Sequence, residues 1–308
     1  MVKLLMTNLF VRKLYFYSAK IFFYLGYFHG SNRLQQYFTK HVPLLNGIFA
    51  HPLGFTWPIS TRNSLKTYIS SCESFTSRIL LSRSSTMTSF ICVGANLGWY
   101  PLLLGAQNKE IEIYAFECHP EFFDLLKKNV LNNSSIIECS DFAISNSDSL
   151  KPLYMPIGGN DGMSTLYPAK DETDTNLVVA QVTLTTLDKY FEGKEIPSEE
   201  VFVLMDIEGG ELKAIEGGKI FIEKYAPTLI LEINPKMLAQ AESNFLEMFR
   251  TLQSMSYDIY WIDERENLVP TSESFLFPHT TVLPIDSGAN YLFVKHGKTW
   301  VKDFIRRN

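Results

Sequence analysis

SFICVGANLGWY, residues 89–100, decides the fold. Ser89 to Val93 form a short apolar run of the kind buried in a parallel sheet. Gly94 follows at once and lets the chain turn tightly where a ligand can approach its backbone. From Trp99 the run WYPLLLGAQ reads as the start of a helix. Working outward, the same rhythm repeats. IEIYAF (111–116) is a second strand, and a helix over Pro120–Leu131 follows with proline in its first turn. SIIEC (135–139), VFVLMDI (201–207) and PTLILEI (227–233) are further strands, and YDIYWI (257–262) and NYLFVK (290–295) complete a set of seven. The helix after VFVLMDI stops at Gly217-Gly218, and an amphipathic helix spans about 239–255. Strands with helices between them mean right-handed βαβ crossovers. The predicted fold is α/β: a doubly wound, mostly parallel seven-stranded sheet with helices on both faces.

Composition sets the frame. The chain has 308 residues, 46% hydrophobic and 20% charged, which excludes collagenous, low-complexity and wholly disordered classes. The cysteines at 72, 92, 118 and 139 form no C-x-x-C, so a zinc knuckle or redox pair has no support. Four cysteines in so long a chain point to a reducing compartment, the cytoplasm.

Charge is divided unevenly. Residues 1–72 hold eight basic residues and no acid, so the rest carries 28 − 8 = 20 bases against 33 acids, a net of −13. The start, VKLLMTNLFVRKLYFYSAKIFFYLGYF, places polar residues close to helical spacing beside a wide aromatic face. A helix in a membrane interface, a helix packed on the acidic domain and a cleaved targeting segment all share that pattern. Lys13 and Lys20 interrupt it, whereas a spanning helix needs about 20 apolar residues, so a transmembrane segment is not expected. Prolines and glycines make 41–64 read as loop and turn. The predicted division is a basic helical extension and linker (1–83), a catalytic domain (84–296) and a C-terminal tail (297–308). Within the domain, residues 144–187 break the rhythm with extra strands around Gly158-Gly159-Asn160-Asp161-Gly162. An insertion there can cover a site at the strand ends; a plain surface hairpin is the alternative.

In open α/β sheets ligands bind at the carboxyl ends of the strands, where strand order reverses. The first strand ends in Gly94-Ala95-Asn96-Leu97-Gly98, and Glu117 ends the second, 23 residues after Gly94. An acid in that place can accept both hydroxyls of a ribose. The turn lacks the repeated glycines of G-x-G-x-x-G, which bring amides to a pyrophosphate. S-adenosylmethionine, which has no phosphate, is therefore favoured over NAD. The fourth strand ends in Asp206-Ile207-Glu208-Gly209-Gly210-Glu211. Such acids can hold a metal, deprotonate a hydroxyl or orient a cationic methyl donor. Glu211 has the ordinary explanation of an acid in a helix's first turn. With no His or Cys ligand close in sequence, turnover without a divalent metal is expected. His119 is a candidate for cofactor contact, and His279 is a loop histidine open to a catalytic role.

FICVGANLGWY (90–100), IYAFECHPEFFDLLKKN (113–129), NDGMSTL (160–166), VTLTTLDKYF (182–191), VLMDIEGGELKAIEGG (203–218) and PTLILEI (227–233) together resemble the FkbM-type methyltransferases over about 88–295. The resemblance implies a class I Rossmann-like fold and S-adenosylmethionine as cofactor. It also implies methylation of a hydroxyl on a sugar, glycolipid or polyketide-like natural product. Gly94, Ala95, Asn96 and Gly98 match the turn beside the methionine part, and Glu117 the ribose acid. Asp141 lies where the class reads adenine, and Asp206, Glu208 and Gly209 match the D-x-E-G motif. Two positions depart from the family pattern. Cys92 stands where the family usually has Asp, and Leu204 where it usually has Lys.

The reading is an S-adenosylmethionine-dependent O-methyltransferase, with Asp206 or Glu208 taking the acceptor proton. Its partners are a small-molecule, glycan or lipid acceptor and, through residues 1–40, a membrane surface; nucleic acid is not expected. The alternatives are a catalytically weak methyltransferase-like binding module and an NAD-dependent oxidoreductase.

Overall fold

The computed structural model describes residues 47–59, 67, 74–156, 164–168, 176–262, 267–271 and 288–305. The predicted N-terminal helix, the Gly158–Gly162 turn and His279 lie outside them. The chain divides into two compact units: 1–85 with 98–109 and 127–136, and 86–97 with 110–126 and 137–308.

In the first unit β1 (Gly47–Ala50) pairs antiparallel with β2 (Thr56–Ile59), so part of the stretch expected to be loop is a hairpin. Gly54, at φ 101, permits the connection, and buried Phe49, Phe55 and Trp57 give it an apolar face. Helix α1 (Ser74–Arg83) follows. Strand β3 (Ser89–Val93) leads into α2 (Trp99–Gln107), whose Trp99 ring meets those of His51, Phe55 and Trp57, each at 5.1 Å. The Trp99 indole N–H donates to Ser77 Oγ at 3.3 Å, a partner that a buried indole requires.

The second unit holds the main sheet. After β3 come β4 (Glu112–Phe116), α3 (Pro120–Asn132), β5 (Glu138–Ser140), β6 (Ala143–Ile144), β7 (Ser149–Pro156), β8 (Asn176–Thr185) and α4 (Leu187–Tyr190). The chain continues through β9 (Val201–Met205), α5 (Glu211–Glu216), α6 (Lys219–Tyr225), β10 (Thr228–Ile233), α7 (Pro235–Gln240) and α8 (Phe245–Ser254). It ends with β11 (Tyr257–Ile262), β12 (Leu268–Pro270), β13 (Ala289–Lys295) and a 3₁₀ turn at Trp300–Asp303.

Strand order is β12-β11-β13-β10-β9-β3-β4-β5. Each of the seven predicted strands has a counterpart, although the third, expected over 135–139, is displaced to Glu138–Ser140 and leaves Ile136 exposed, and β12 adds a short eighth at the edge, antiparallel to β11. Only β12 and β13 run against the parallel set, since β13 pairs antiparallel with both β10 and β11. From β3 the chain builds outward to β4 and β5, then returns to β9 and β10 on β3's other side. The switch point therefore lies at the carboxyl ends of β3 and β9, where such sheets bind ligands.

Packing explains the strands. All five residues of β3 and all five of β9 are buried, as central parallel strands require. Ile91, Val93, Val203, Met205, Leu229 and Leu231 share one cluster with Leu212, Phe221, Phe249 and Leu252 from the helices. Each such side chain contributes roughly 1.5–3 kcal/mol by leaving water. The helix expected over 239–255 is two. Asn234 caps α7 and Asn244 caps α8 by accepting from main-chain N–H groups, and Glu242 between them lies at φ 55, which no α-helix tolerates. The expected tail also packs: Val301 is buried, and the Leu268 N–H donates to the Phe304 carbonyl at 3.0 Å.

The insertion forms its own sheet in the order β6-β8-β7, with β7 and β8 antiparallel from Ser149↔Leu184 to Pro156↔Asn176. Thr165 attaches to it by two main-chain bonds with Tyr154, both 2.9 Å.

Candidate active site

One cleft opens at the switch point, with about 700 Å³ of empty space, part of it open to solvent. Gly94, Asn96, Glu117, Asp206 and Glu208 line it from the sheet, and Leu153, Ser164 and Leu166 line it from the insertion. The insertion thus contributes to the cleft wall, beyond a plain surface hairpin.

Gly94, at φ 81, is there for the protein's own chain. A Cβ on it would meet the Asp206 carbonyl oxygen at 1.9 Å, so no other residue lets the tips of β3 and β9 approach so closely. The Gly94 and Ala95 N–H groups both donate to the Phe116 carbonyl, tying the turn to the tip of β4. Ala95 is buried and acts through its backbone. Gly98, at φ 90, caps α2 and belongs to the other unit.

Glu117 is buried, and main-chain amides hold both its oxygens. Asn96 N–H donates to Oε2 and His119 N–H to Oε1, each at 2.8 Å. Burial pushes its carboxyl up, against the lowering effect of those two amides. Asn96 reaches it from φ 50, a left-handed conformation that asparagine accepts more readily than most residues. Each carboxylate oxygen keeps a second lone pair for a ligand hydroxyl. Glu117→Ala is expected to weaken S-adenosylmethionine binding by roughly 1–3 kcal/mol; calorimetry showing wild-type affinity would remove Glu117 from the site.

His119 does not line the cleft. Its ring stacks on Phe122, which does, at 4.2 Å, and its Nδ1 is buried without a partner. Burial lowers its pKa, so the ring is held neutral. The neighbouring Cys118 thiol is pushed up to about 12 by burial and the charge of Glu117, which makes it unreactive near neutrality. Asp141, the expected adenine contact, is exposed and is not among the residues lining the cleft, where Phe142 and Ala143 stand.

The tip of β9 is held from several sides. Glu208 lies at φ 51, a strained conformation for a residue of its kind, and Gly209 at φ 100. A Cβ at Gly209 would meet the Met237 carbonyl oxygen at 2.4 Å. Thr165 Oγ1 donates to the Glu208 carbonyl at 2.9 Å and links the insertion to this turn. Glu211 does more than face a helix dipole: it is buried, and its Oε1 accepts from the N–H groups of Ile207 and Gly209. Nothing in the run of acids distinguished Glu211 or Thr165; their contacts exist only once the chain folds.

Burial pushes Glu208 up to about 7, with smaller contributions from Glu232 and Glu211. Glu211 is also raised to about 7 by burial, against the bonds it accepts. A folded-state value above the unfolded one means that ionisation disfavours the fold. Glu211 should therefore remove about 3 kcal/mol of stability as pH rises from about 4.5 to 7, with no further loss above that. Glu208 contributes in the same sense over the same range, so Glu211→Gln, followed by urea denaturation, should lessen the slope by about half; an unchanged slope would assign the loss elsewhere.

Cys92 and Leu204, the two departures from the family pattern, are register partners on β3 and β9 and are both buried. Neither lines the cleft. The resemblance implies an Asp and a Lys at these paired positions; an apolar pair in their place leaves no charge stranded, whereas a single change would. Among the described residues no group of three or more His, Cys, Asp or Glu could hold a metal ion.

The residues fit a cofactor with a ribose, a sulfonium cation and no phosphate. A buried acid stands at the tip of β4, further carboxylates stand at the tip of β9, and no basic side chain lines the cleft among the described residues. The chain matches the sequence model of the methyltransferase FkbM domain over residues 93–259, more than half its length. No curated protein matches it. Similar solved structures include a methyltransferase FkbM from Methylobacillus flagellatus, 15% identical at a TM-score of 0.40, covering 67% of this chain and 43% of that one. An S-adenosylmethionine-dependent O-methyltransferase from Thermotoga maritima is 11% identical at 0.35, covering 73% and 66%. A tRNA (uracil-54, C5)-methyltransferase from Pyrococcus abyssi is 10% identical at 0.36, covering 78% and 41%. Likenesses this distant say nothing of activity. The motif series, the switch-point cleft and the match over residues 93–259 lead to one statement: the chain belongs to the FkbM methyltransferase family, whose methyl donor is S-adenosylmethionine.

Proposed function

We propose that this protein methylates a hydroxyl group on a sugar, glycolipid or small natural product. The observation that carries the reading is the convergence of Glu117 with Asp206 and Glu208 on one cleft. When bound, S-adenosylmethionine supplies an electrophilic methyl group on a sulfonium. Glu117 accepts hydrogen bonds from the ribose hydroxyls, and Asn96 holds Glu117 in place. Asp206, half-buried at the tip of β9, orients the cationic end of the donor. Glu208 takes the acceptor proton; a carboxyl raised to about 7 is matched to that task near neutral pH. Thr165 and Glu211 fix the turn that presents Glu208. The test is a screen of small sugars and lipids with labelled donor, run in excess chelator. Transfer to a hydroxyl supports the reading. Donor binding without transfer to any acceptor favours a catalytically weak binding module instead. The oxidoreductase reading has no support once the family is known.

The membrane reading of residues 1–40 rests on their sequence. Among the described residues no helix is long and apolar enough to cross a membrane. Lys3, Arg12, Lys13, Lys20, Arg33 and Lys40 would each contribute about 1 kcal/mol near an anionic surface. Liposome co-sedimentation should rise with anionic lipid, fall with salt and vanish without residues 1–40. A protein that stays in the supernatant at every lipid charge contradicts it.

A further inference from the structure

The charge of the cleft speaks to what it admits. Glu117, Asp206 and Glu208 line it, and no Lys, Arg or His does among the described residues. Two lysines, Lys213 and Lys151, stand by the Tyr167 ring and do not line the cleft. Lys213 Nζ donates to the Ala241 carbonyl and stands over the Tyr167 ring at 4.5 Å, and Lys151 stands 5.8 Å from that ring's centre. A phosphate or carboxylate entering this space would leave water beside the Glu208 carboxylate and meet no basic side chain among the described residues. One polar group is free to meet an acceptor: Ser164 lines the cleft, and its Oγ is buried with no hydrogen-bond partner. Thr165, the next residue, is fixed by Tyr154 and by the Glu208 carbonyl, so Ser164 is held beside the turn that carries the proposed base.

We infer that this site takes an acceptor without negative charge, a neutral or cationic hydroxyl compound that the Ser164 hydroxyl contacts, and that phosphorylated or carboxylated acceptors, nucleic acid included, are excluded. The inference rests on the methyl-transfer reading and narrows its substrate class. Like charges brought together without a counter-ion discriminate strongly, so an anionic ester of a working acceptor should lose about 100-fold or more in kcat/KM.

The experiment incubates the full chain with tritiated S-adenosylmethionine and a mixed extract of metabolites and lipids, extracts the lipids, removes unreacted donor from the aqueous phase on charcoal, subtracts a heat-inactivated control, and separates both sets of products on an anion exchanger. Label in the unretained fraction is the expected result; label concentrated in the retained fraction overturns the inference. Donor binding by calorimetry with no labelled product in any fraction overturns the transfer reading, and this inference with it. Once an acceptor is in hand, Ser164→Ala should raise its KM about 10-fold, the worth of one hydrogen bond, and leave donor affinity and melting temperature unchanged. An unchanged acceptor KM removes Ser164 from the contact.

Discussion

Glu208→Gln is expected to bind S-adenosylmethionine as the native protein does and to turn over about 10²- to 10⁴-fold more slowly, the range attributable to a positioned general base. The isostere keeps the φ 51 backbone and the Thr165 bond to the carbonyl, and removes only the proton acceptor. The pH profile separates this from a structural effect. A base must be ionised to act, and burial holds Glu208 at about 7. Native turnover should therefore be low below pH 7, rise through it and level off above. The glutamine variant should lose that limb. A variant that retains both rate and limb would move the proton transfer to Asp206.

The second large effect is on the fold itself. Gly94→Ala should destabilise the protein by about 3–5 kcal/mol and abolish donor binding, because its Cβ would lie 1.9 Å from a main-chain oxygen at φ 81. Backbone must move, and what moves is the contact between the tips of β3 and β9 that forms the floor of the cleft. Gly193→Ala is the control. It shares a positive φ, 72, yet has nothing within 4 Å of the added atom, so only the left-handed strain of roughly 1–2 kcal/mol remains. Urea denaturation of both variants gives the comparison. Equal losses would mean that conformation, not the close approach, explains Gly94.

These residues also show what the sequence can carry. The central strands β3, β4, β9 and β10 were legible because each is a compact apolar run bounded by turns, and buried parallel strands need nothing else, whereas β5 is only partly buried and begins three residues later than its apolar run. The break between α7 and α8 was not, since Asn244 caps a helix from within a continuous amphipathic pattern. Nor was the β1–β2 hairpin, where prolines and glycines masked an apolar face. The site divides in the same way. Glu117, Asp206 and Glu208 followed from their places at strand tips, and the cleft gathers all three. Asp141 is exposed and stands outside that lining, which the next two residues, Phe142 and Ala143, join. Thr165 matters through a contact 43 residues away, Glu211 through its burial and the amides of its own turn, and Ser164 through a missing partner, none of which spacing along the chain encodes.

The central claim is that the cleft between β3, β4 and β9 holds S-adenosylmethionine through Glu117. Isothermal titration of the full chain with S-adenosylmethionine, and separately with NAD, tests it most directly. The account predicts saturable one-to-one binding of S-adenosylmethionine, lost or sharply weakened in Glu117→Ala, and no heat of binding with NAD. No binding of S-adenosylmethionine to the native chain, or equal binding by native and variant proteins, would contradict it.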